Sequence, residues 1–331
     1  MLKIKIITPV FLLCSLLLPM FLFAGCSSPA VDNYTVNVTF VYNNDVKNKT
    51  VSIKSGDTVS VPSDPIKPYY IFLAWCTDEQ LYAKYDFSQP VTKDLTLYAA
   101  YQLDAATITN EISGNTIQGL VQIHNKSYNK SSGKETSSHT YHGSGFCFRI
   151  QNGFYYILTN SHVVTKDTSY KYQEITIEDY VGNIYEGALY HDPARDDDAI
   201  DPSYDLACLY FKSDSTDVKA LKFASNPNIS EDVVALGSPK KQSNCITFGK
   251  VKAYTTFTAK DPNSSSNVRF EVIKHGAWID NGSSGGPLLN SELQVVGVNF
   301  GSSENSTIRS GNSFAIPASK VNEFLKKYVY A

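Results

Sequence analysis

The sequence predicts a mainly β chain, closed at its C-terminus by one helix. Three observations carry this expectation. Tyrosine is frequent, with 22 residues, and aromatic, β-branched content favours strands. Apolar segments are short and separated by turn residues, as in sandwiches and barrels. Only near the end, after Pro317, do Val321, Phe324, Leu325 and Tyr328 fall at helical spacing. At 331 residues the chain is long enough for about two domains. Its net charge of −3 gives no footing for nucleic acid or for a polybasic membrane patch.

Residues 1–25 read as a secretory signal. Lys3 and Lys5 precede an apolar run from Ile6 to Phe23, and small residues follow in Ala24-Gly25-Cys26-Ser27-Ser28. Pro9 and Pro19 weaken the alternative of a transmembrane anchor. The cysteine directly after Ala-Gly resembles the lipobox of bacterial lipoproteins, although Phe23 stands where that motif usually has leucine. The resemblance implies cleavage before Cys26, a diacylglyceryl thioether on it, and a lipid-anchored chain outside the cytoplasm. Residues 26–33 then form a lipidated linker. More than one acyl chain is needed for a stable anchor.

Residues 34–103 form a small β module. Tyr34, Val36, Val38, Phe40 and Tyr42 alternate with Thr35, Asn37, Thr39 and Val41, the period of a half-buried strand. Asn43-Asn44-Asp45 and Ser55-Gly56-Asp57 are turns, Thr50 to Ile53 is a second strand, and Tyr70 to Trp75 continues the core. The segments Tyr85-Asp86-Phe87, Pro90-Val91-Thr92 and Asp94-Leu95-Thr96-Leu97-Tyr98-Ala99 resemble the internalin-type B repeat of bacterial surface proteins. Ala74 stands where that family has glycine before tryptophan. The resemblance implies a compact β-grasp-like unit, used as a spacer or as the holder of a surface partner. It brings no chemistry.

Residues 104–112 carry few large apolar side chains and read as a linker to a domain at 113–331. Its first strand is expected at Gly119 to His124, and Lys126 to Thr140, without an apolar period, as a long exposed loop. Short strands follow, at Gly143 to Ile150, Phe154 to Leu158, Asp205 to Phe211, Val233 to Leu236, Ile246 to Tyr254 and Leu293 to Phe300 among others. Cys76, Cys147, Cys208 and Cys245 have no metal-ligand spacing. They are expected mostly as buried free thiols, small hydrophobes in effect. The acidic stretch Asp192, Asp196, Asp197, Asp198 and Asp201 reads as a solvated loop, and His124, His139, His142, His191 and His275 as structural or surface residues.

Chemistry concentrates in three places. Gly282-Ser283-Ser284-Gly285-Gly286-Pro287-Leu288 sets a serine on a tight glycine turn. There the N–H groups of Gly282 and Ser284 can face one oxyanion. Thr159-Asn160-Ser161-His162 puts a histidine after an apolar strand, and Asp205-Leu206-Ala207 an aspartate at the head of another. The order His162, Asp205, Ser284 is that of the chymotrypsin class.

These motifs resemble HtrA-type (Deg) trypsin-like serine proteases. So do Gly143-Ser144-Gly145-Phe146, Phe248-Gly249-Lys250-Val251, Val295-Val296-Gly297-Val298-Asn299 and Phe314-Ala315-Ile316-Pro317. The resemblance implies a chymotrypsin-like double β-barrel with a C-terminal helix, acting on protein or peptide substrates without metal or cofactor. It implies His162 as general base, Asp205 as its orienting partner, Ser284 as nucleophile, and Gly282 and Ser284 as the oxyanion hole. Ser283 stands where these proteases have asparagine, and Asn281 where many have proline. No PDZ domain is expected after residue 331. The primary pocket falls by resemblance near Trp278 and Ile279, with Asn299, Phe300 and Gly301 along one wall. No acid sits at its base, so small or medium apolar side chains are the expected preference. The competing expectation is an adhesive surface lipoprotein whose protease-like domain is silent.

Overall fold

The computed structural model describes residues 34–192, 196–214, 217–238, 244–256, 268–302 and 312–330. The expected signal, Cys26 and the linker after it lie outside the described residues. Among the described residues no helix is long and apolar enough to cross a membrane.

The N-terminal module is a four-stranded sheet in the order β2-β1-β4-β3. It is built from β1 (Thr35–Val41), β2 (Lys49–Lys54), β3 (Tyr70–Cys76) and β4 (Leu95–Leu103). β1 and β4 run parallel, as a β-grasp-like unit requires. The alternation read from the sequence places Val36, Val38 and Phe40 inside. Trp75 packs edge-on against Phe40 and Tyr42, with ring centroids 5.0 and 5.5 Å apart. Such pairs add to the burial of their own apolar area. At Gly56 the backbone turns with φ +91°, which only glycine reaches without strain.

The expected linker is not extended. Residues 105–114 form α1 (Ala105–Gly114), capped by the Asp104 carboxylate on the Thr107 N–H at 3.0 Å. Ile108 and Ile112, four apart, lie on one helix face and are fully buried. Two apolar residues at that spacing suffice for a short helix when the cap is good. The absence of other large side chains hid the pattern.

The large domain then holds β5 (Leu120–Ser131), β6 (Lys134–Gln151), β7 (Phe154–Thr159), α2 (Ser161–Val164), β8 (Tyr172–Glu178) and β9 (Ile184–Leu189). The short β10 (His191–Asp192), β11 (Asp197–Asp198) and β12 (Ile200–Asp201) precede β13 (Leu206–Lys212). The order β13-β7-β6-β5-β8-β9 closes on itself through a β13–β9 pairing. A second closed barrel runs β14-β15-β16-β19-β18-β17. Its strands are β14 (Asp232–Gly237), β15 (Cys245–Thr256), β16 (Glu271–His275), β17 (Pro287–Leu289), β18 (Val295–Ser302) and β19 (Ser313–Pro317). The helix α3 (Ala318–Tyr328) ends the domain and buries Val321, Phe324, Leu325 and Tyr328 as its spacing predicts.

The strand runs are apolar on both faces because the barrels share a seam. Ala207 and Leu209 fill the first barrel, while Leu206 and Cys208 face a cluster that also takes Val234 and Leu236 from the second. Val233 and Ala235 fill the second barrel from the other face of β14. The same seam cluster takes Ile108 and Ile112 of α1 and Phe324 of α3. Cys147 and Cys208 are buried free thiols, as expected, and so is Cys76. Cys245 is half-buried. Burial pushes the Cys147 thiol up to about 12.

The exposed loop expected at Lys126 to Thr140 is instead a long hairpin. β5 and β6 pair from Leu120↔Phe146 to Ser131↔Lys134 across a two-residue Ser132-Gly133 turn. Both turn residues have positive φ, +50° and +78°, the hairpin turn that matches strand twist. The apolar period was missing because inward positions are polar. The buried Asn125 amide donates to the Val163 and Thr165 carbonyls, and Ser127 accepts the Asp167 N–H.

Asp201, expected in a solvated loop, is buried. It accepts Tyr328 Oη at 2.8 Å, Lys327 Nζ at 3.2 Å and Ser203 Oγ at 2.6 Å. Burial opposes its charge, but the bonds from Ser203, Tyr328 and Lys327 outweigh that and hold its carboxyl below the usual range.

Candidate active site

Three loops at the seam carry the site. β7 ends at Thr159, and the one-turn helix α2 follows with Asn160 at its start. Val163 and Val164 plug the first barrel and pin that turn, so His162 is left partly exposed at 24%. Asp205 stands at the head of β13 with its side chain fully buried. Its φ of +52° lies in the left-handed region, where aspartate is tolerated better than most residues. There its carbonyl accepts the Asn160 amide at 2.9 Å.

His162 Nδ1 lies 3.0 and 2.9 Å from the two Asp205 carboxylate oxygens. A carboxylate only accepts, so Nδ1 carries a proton, and in the neutral ring Nε2 is then the nitrogen with the lone pair. Two further donors meet the same carboxylate, Ser161 Oγ at 2.9 Å and the His162 N–H at 3.2 Å. Saturating a buried carboxylate with donors is what keeps its charge tolerable away from water.

The serine turn is organised by its backbone. Gly282 and Gly285 have φ of +100° and +87°. The Ser283 N–H donates to the Asp280 carbonyl at 2.8 Å, the Gly285 N–H to Asn299 at 2.8 Å, and the Gly286 N–H to Ser283 at 3.0 Å. The N–H groups of Gly282 and Ser284 make no hydrogen bond among the described residues. Two donors of one turn are thus left without a partner among the described residues. The Ser284 hydroxyl reaches the Phe300 carbonyl at 3.5 Å, long for an O–H···O bond. It makes no hydrogen bond to His162 in this state, and nucleophile–base bonds commonly tighten only with substrate bound.

The expected pocket residues divide. Trp278 and Ile279 line one small recess with Leu236, Cys245, Thr247 and Ser283. Thr247 Oγ1 donates to the Trp278 carbonyl at 2.7 Å. Asn299 does not form a wall there: it is fully buried, and its amide donates to the Gly286 and Pro287 carbonyls at 3.1 Å each. The Phe300 ring belongs to the seam cluster, and Gly301 is half-buried in β18. Asn299 thus braces the serine turn from behind. Among the other histidines, His124 and His142 meet Nδ1 to Nδ1 at 2.8 Å, and His124 Nε2 reaches Glu178 at 2.8 Å. Among the described residues no group of three or more His, Cys, Asp or Glu is placed to hold a metal ion.

The family described as Trypsin-like peptidase domain matches residues 143–298, which hold all three loops. Over those residues the chain is similar to trypsin-like peptidase domains. The chain has relatives in "Serine protease HTRA4" of Mus musculus and "Serine protease HTRA2, mitochondrial" of Drosophila virilis. Each is 34% identical, over 187 and 185 residues respectively, and each match covers 56% of this chain. The chain spans only 34% and 39% of the length of those relatives. In fold, the large domain is similar to the Rv3671c protease of M. tuberculosis in its active form. There the TM-score is 0.51 and the identity 24%, covering 68% of this chain and 87% of that one. Ahead of that region, residues 34–100 match the family described as Listeria-Bacteroides repeat domain.

Sequence reading missed Ser161 and Asn160 as partners of Asp205, and Ser144 as a partner of the serine turn. The available signal was small polar residues inside otherwise apolar strand ends.

Proposed function

We propose that the chain is a serine endopeptidase of the HtrA type, lipid-anchored through Cys26 and working outside the cytoplasm. The carrying observation is the His162–Asp205 pair, at 2.9 Å with Asp205 fully buried, at one seam with the serine turn. The anchor rests on the sequence of residues 1–26 and on the repeat module, a type resembling those of bacterial surface proteins.

In the proposed reaction, Ser284 Oγ attacks the carbonyl carbon of a peptide bond while His162 Nε2 takes the hydroxyl proton. The carbonyl π electrons move to oxygen, and the Gly282 and Ser284 N–H groups bond the resulting oxyanion. Asp205 holds the imidazole in the tautomer it needs and balances its positive charge. Collapse breaks the C–N bond, and His162 passes its proton to the leaving amine, leaving an acyl-enzyme ester on Ser284. Water, deprotonated by His162, then attacks the ester carbon; collapse breaks the bond to Ser284 Oγ, His162 returns the proton to that oxygen, and the acid product leaves. The repeat module acts as a spacer or holds a surface partner.

The test is labelling of the full-length chain by a fluorophosphonate probe, beside Ser284→Ala. Such a probe reacts with an activated serine and ignores an ordinary one. Loss of a triad serine costs on the order of a million-fold in turnover, so wild type should label and the variant should not. A folded wild type that stays unlabelled would sink the endopeptidase reading and favour a binding protein.

A further inference from the structure

We infer that Ser144, on β6 of the first barrel, is the positioning residue that sets the oxyanion hole on the second. The inference rests on Ser284 being the nucleophile. Ser144 is fully buried and makes contacts in three directions. Its hydroxyl donates to the Gly282 carbonyl at 2.7 Å and accepts the Ser238 N–H at 2.9 Å. Its own N–H donates to the Ser284 carbonyl at 2.8 Å. Its carbonyl accepts the Thr159 hydroxyl at 2.7 Å, two residues ahead of Ser161 and three ahead of His162.

The geometry of peptide planes gives these bonds their meaning. The Gly282 carbonyl shares a plane with the Ser283 N–H, and the Ser284 carbonyl shares one with the Gly285 N–H. Each plane is held at both ends: the first by Ser144 Oγ and the Asp280 carbonyl, the second by the Ser144 N–H and the Asn299 carbonyl. Between them lies the Ser283–Ser284 plane, whose carbonyl is held by the Gly286 N–H and whose N–H is one of the two open donors. On the other side of the first plane lies the plane that carries the Gly282 N–H. One serine from the opposite barrel therefore restrains both neighbours of the donor planes. Gly282, at φ +100°, has the freedom to swing if that restraint is lost. The Ser144 hydroxyl has one proton; since it accepts from Ser238, that proton is committed to the Gly282 carbonyl. Alanine would leave both partners unpaired in a buried place.

The role is in orienting donors, not in binding substrate, so Ser144 variants should lose kcat and keep KM. Removing an oxyanion donor itself costs about 100- to 1000-fold; loosening one through its neighbour is expected to cost about 10-fold or more. Full-length Ser144→Ala and the near-isosteric Ser144→Cys, which keeps the volume if alanine fails to fold, are compared with wild type. The readouts are fluorophosphonate inactivation rate and steady-state cleavage of a peptide substrate. The expected result is slowed inactivation and a reduced kcat, with KM unchanged within about two-fold. Wild-type rates in either folded variant would overturn the inference, as would a KM rising in step with the loss of kcat, the sign of general loosening. If wild type labels and the Ser144 variants label as fast, this inference alone fails. If wild type does not label, the reading of Ser284 fails and the inference with it.

Discussion

A single buried carboxylate shows how the site is built. Asp205 is met by Ser161, the His162 N–H and the His162 ring, and a charge so surrounded can orient an imidazole. At this scale a tight constraint on the serine turn is Gly285. A Cβ there would be driven into the Ser144 carbonyl and the Thr159 hydroxyl, at a backbone φ of +87°. Gly285→Ala is therefore expected to cost about 3 kcal/mol or more in stability, and fluorophosphonate labelling should be lost with it. Urea unfolding of the variant checks the first, and a wild-type midpoint would contradict it. Glycine at this position was legible in the sequence as a turn former. That barrel-one atoms press against it was not, because Ser144 lies far off in the chain.

Among the elements, α3 was the easiest to read and α1 the hardest. Both bury apolar residues at helical spacing, but α3 shows four such residues and α1 only Ile108 and Ile112. What holds α3 down is not visible in its own sequence. Asp201 reaches it from β12 through Tyr328 and Lys327. Asp201→Ala leaves the buried Tyr328 hydroxyl without this partner, at a cost of about 2 kcal/mol. Amide hydrogen exchange across residues 318–328 should quicken in the variant. Unchanged exchange there would mean that apolar packing alone seats the helix. The β5–β6 hairpin makes the complementary point. Its outer half follows backbone pairing and a Ser-Gly turn, with Asn125 and Ser127 turned inward to serve neighbouring backbone groups.

Across the whole molecule the second barrel carries a pH liability. His275 is fully buried, at 0% accessibility, with Asn299 and Lys252 near it. Burial lowers its imidazole from 6.5 to about 3; the Asn299 side chain pulls weakly the other way, and the Lys252 charge adds to the fall. A lowered folded value means that the unfolded chain takes the proton first. The stability this group contributes is therefore whole above about pH 6.5 and drains as pH falls toward 3. The depressed aspartates, Asp179 and Asp201 among them, act only below their ordinary 3.8. Between pH 6.5 and 4, His275 therefore contributes a fall in stability. Urea midpoints of wild type should fall across that window and those of His275→Gln should stay flatter. Parallel curves would show that the imidazole is not the group responsible.

The sequence alone determined the mainly β character and most of the apolar strands, through alternation and turn chemistry, and which three side chains are the candidate triad, through motif and order. Those signals are local: a strand's period and a glycine turn are written within about ten residues. Tertiary structure decided what supports them. The inward polar positions of β5, the anchoring of α3 by Asp201 and the bracing of the serine turn by Asn299 depend on chain segments brought together by the closed fold, and the Ser144 bridge, 138 residues from its partner Gly282, on the two barrels meeting at one seam. A buried polar residue draws its meaning from the partner it finds, and only the closed fold supplies that partner.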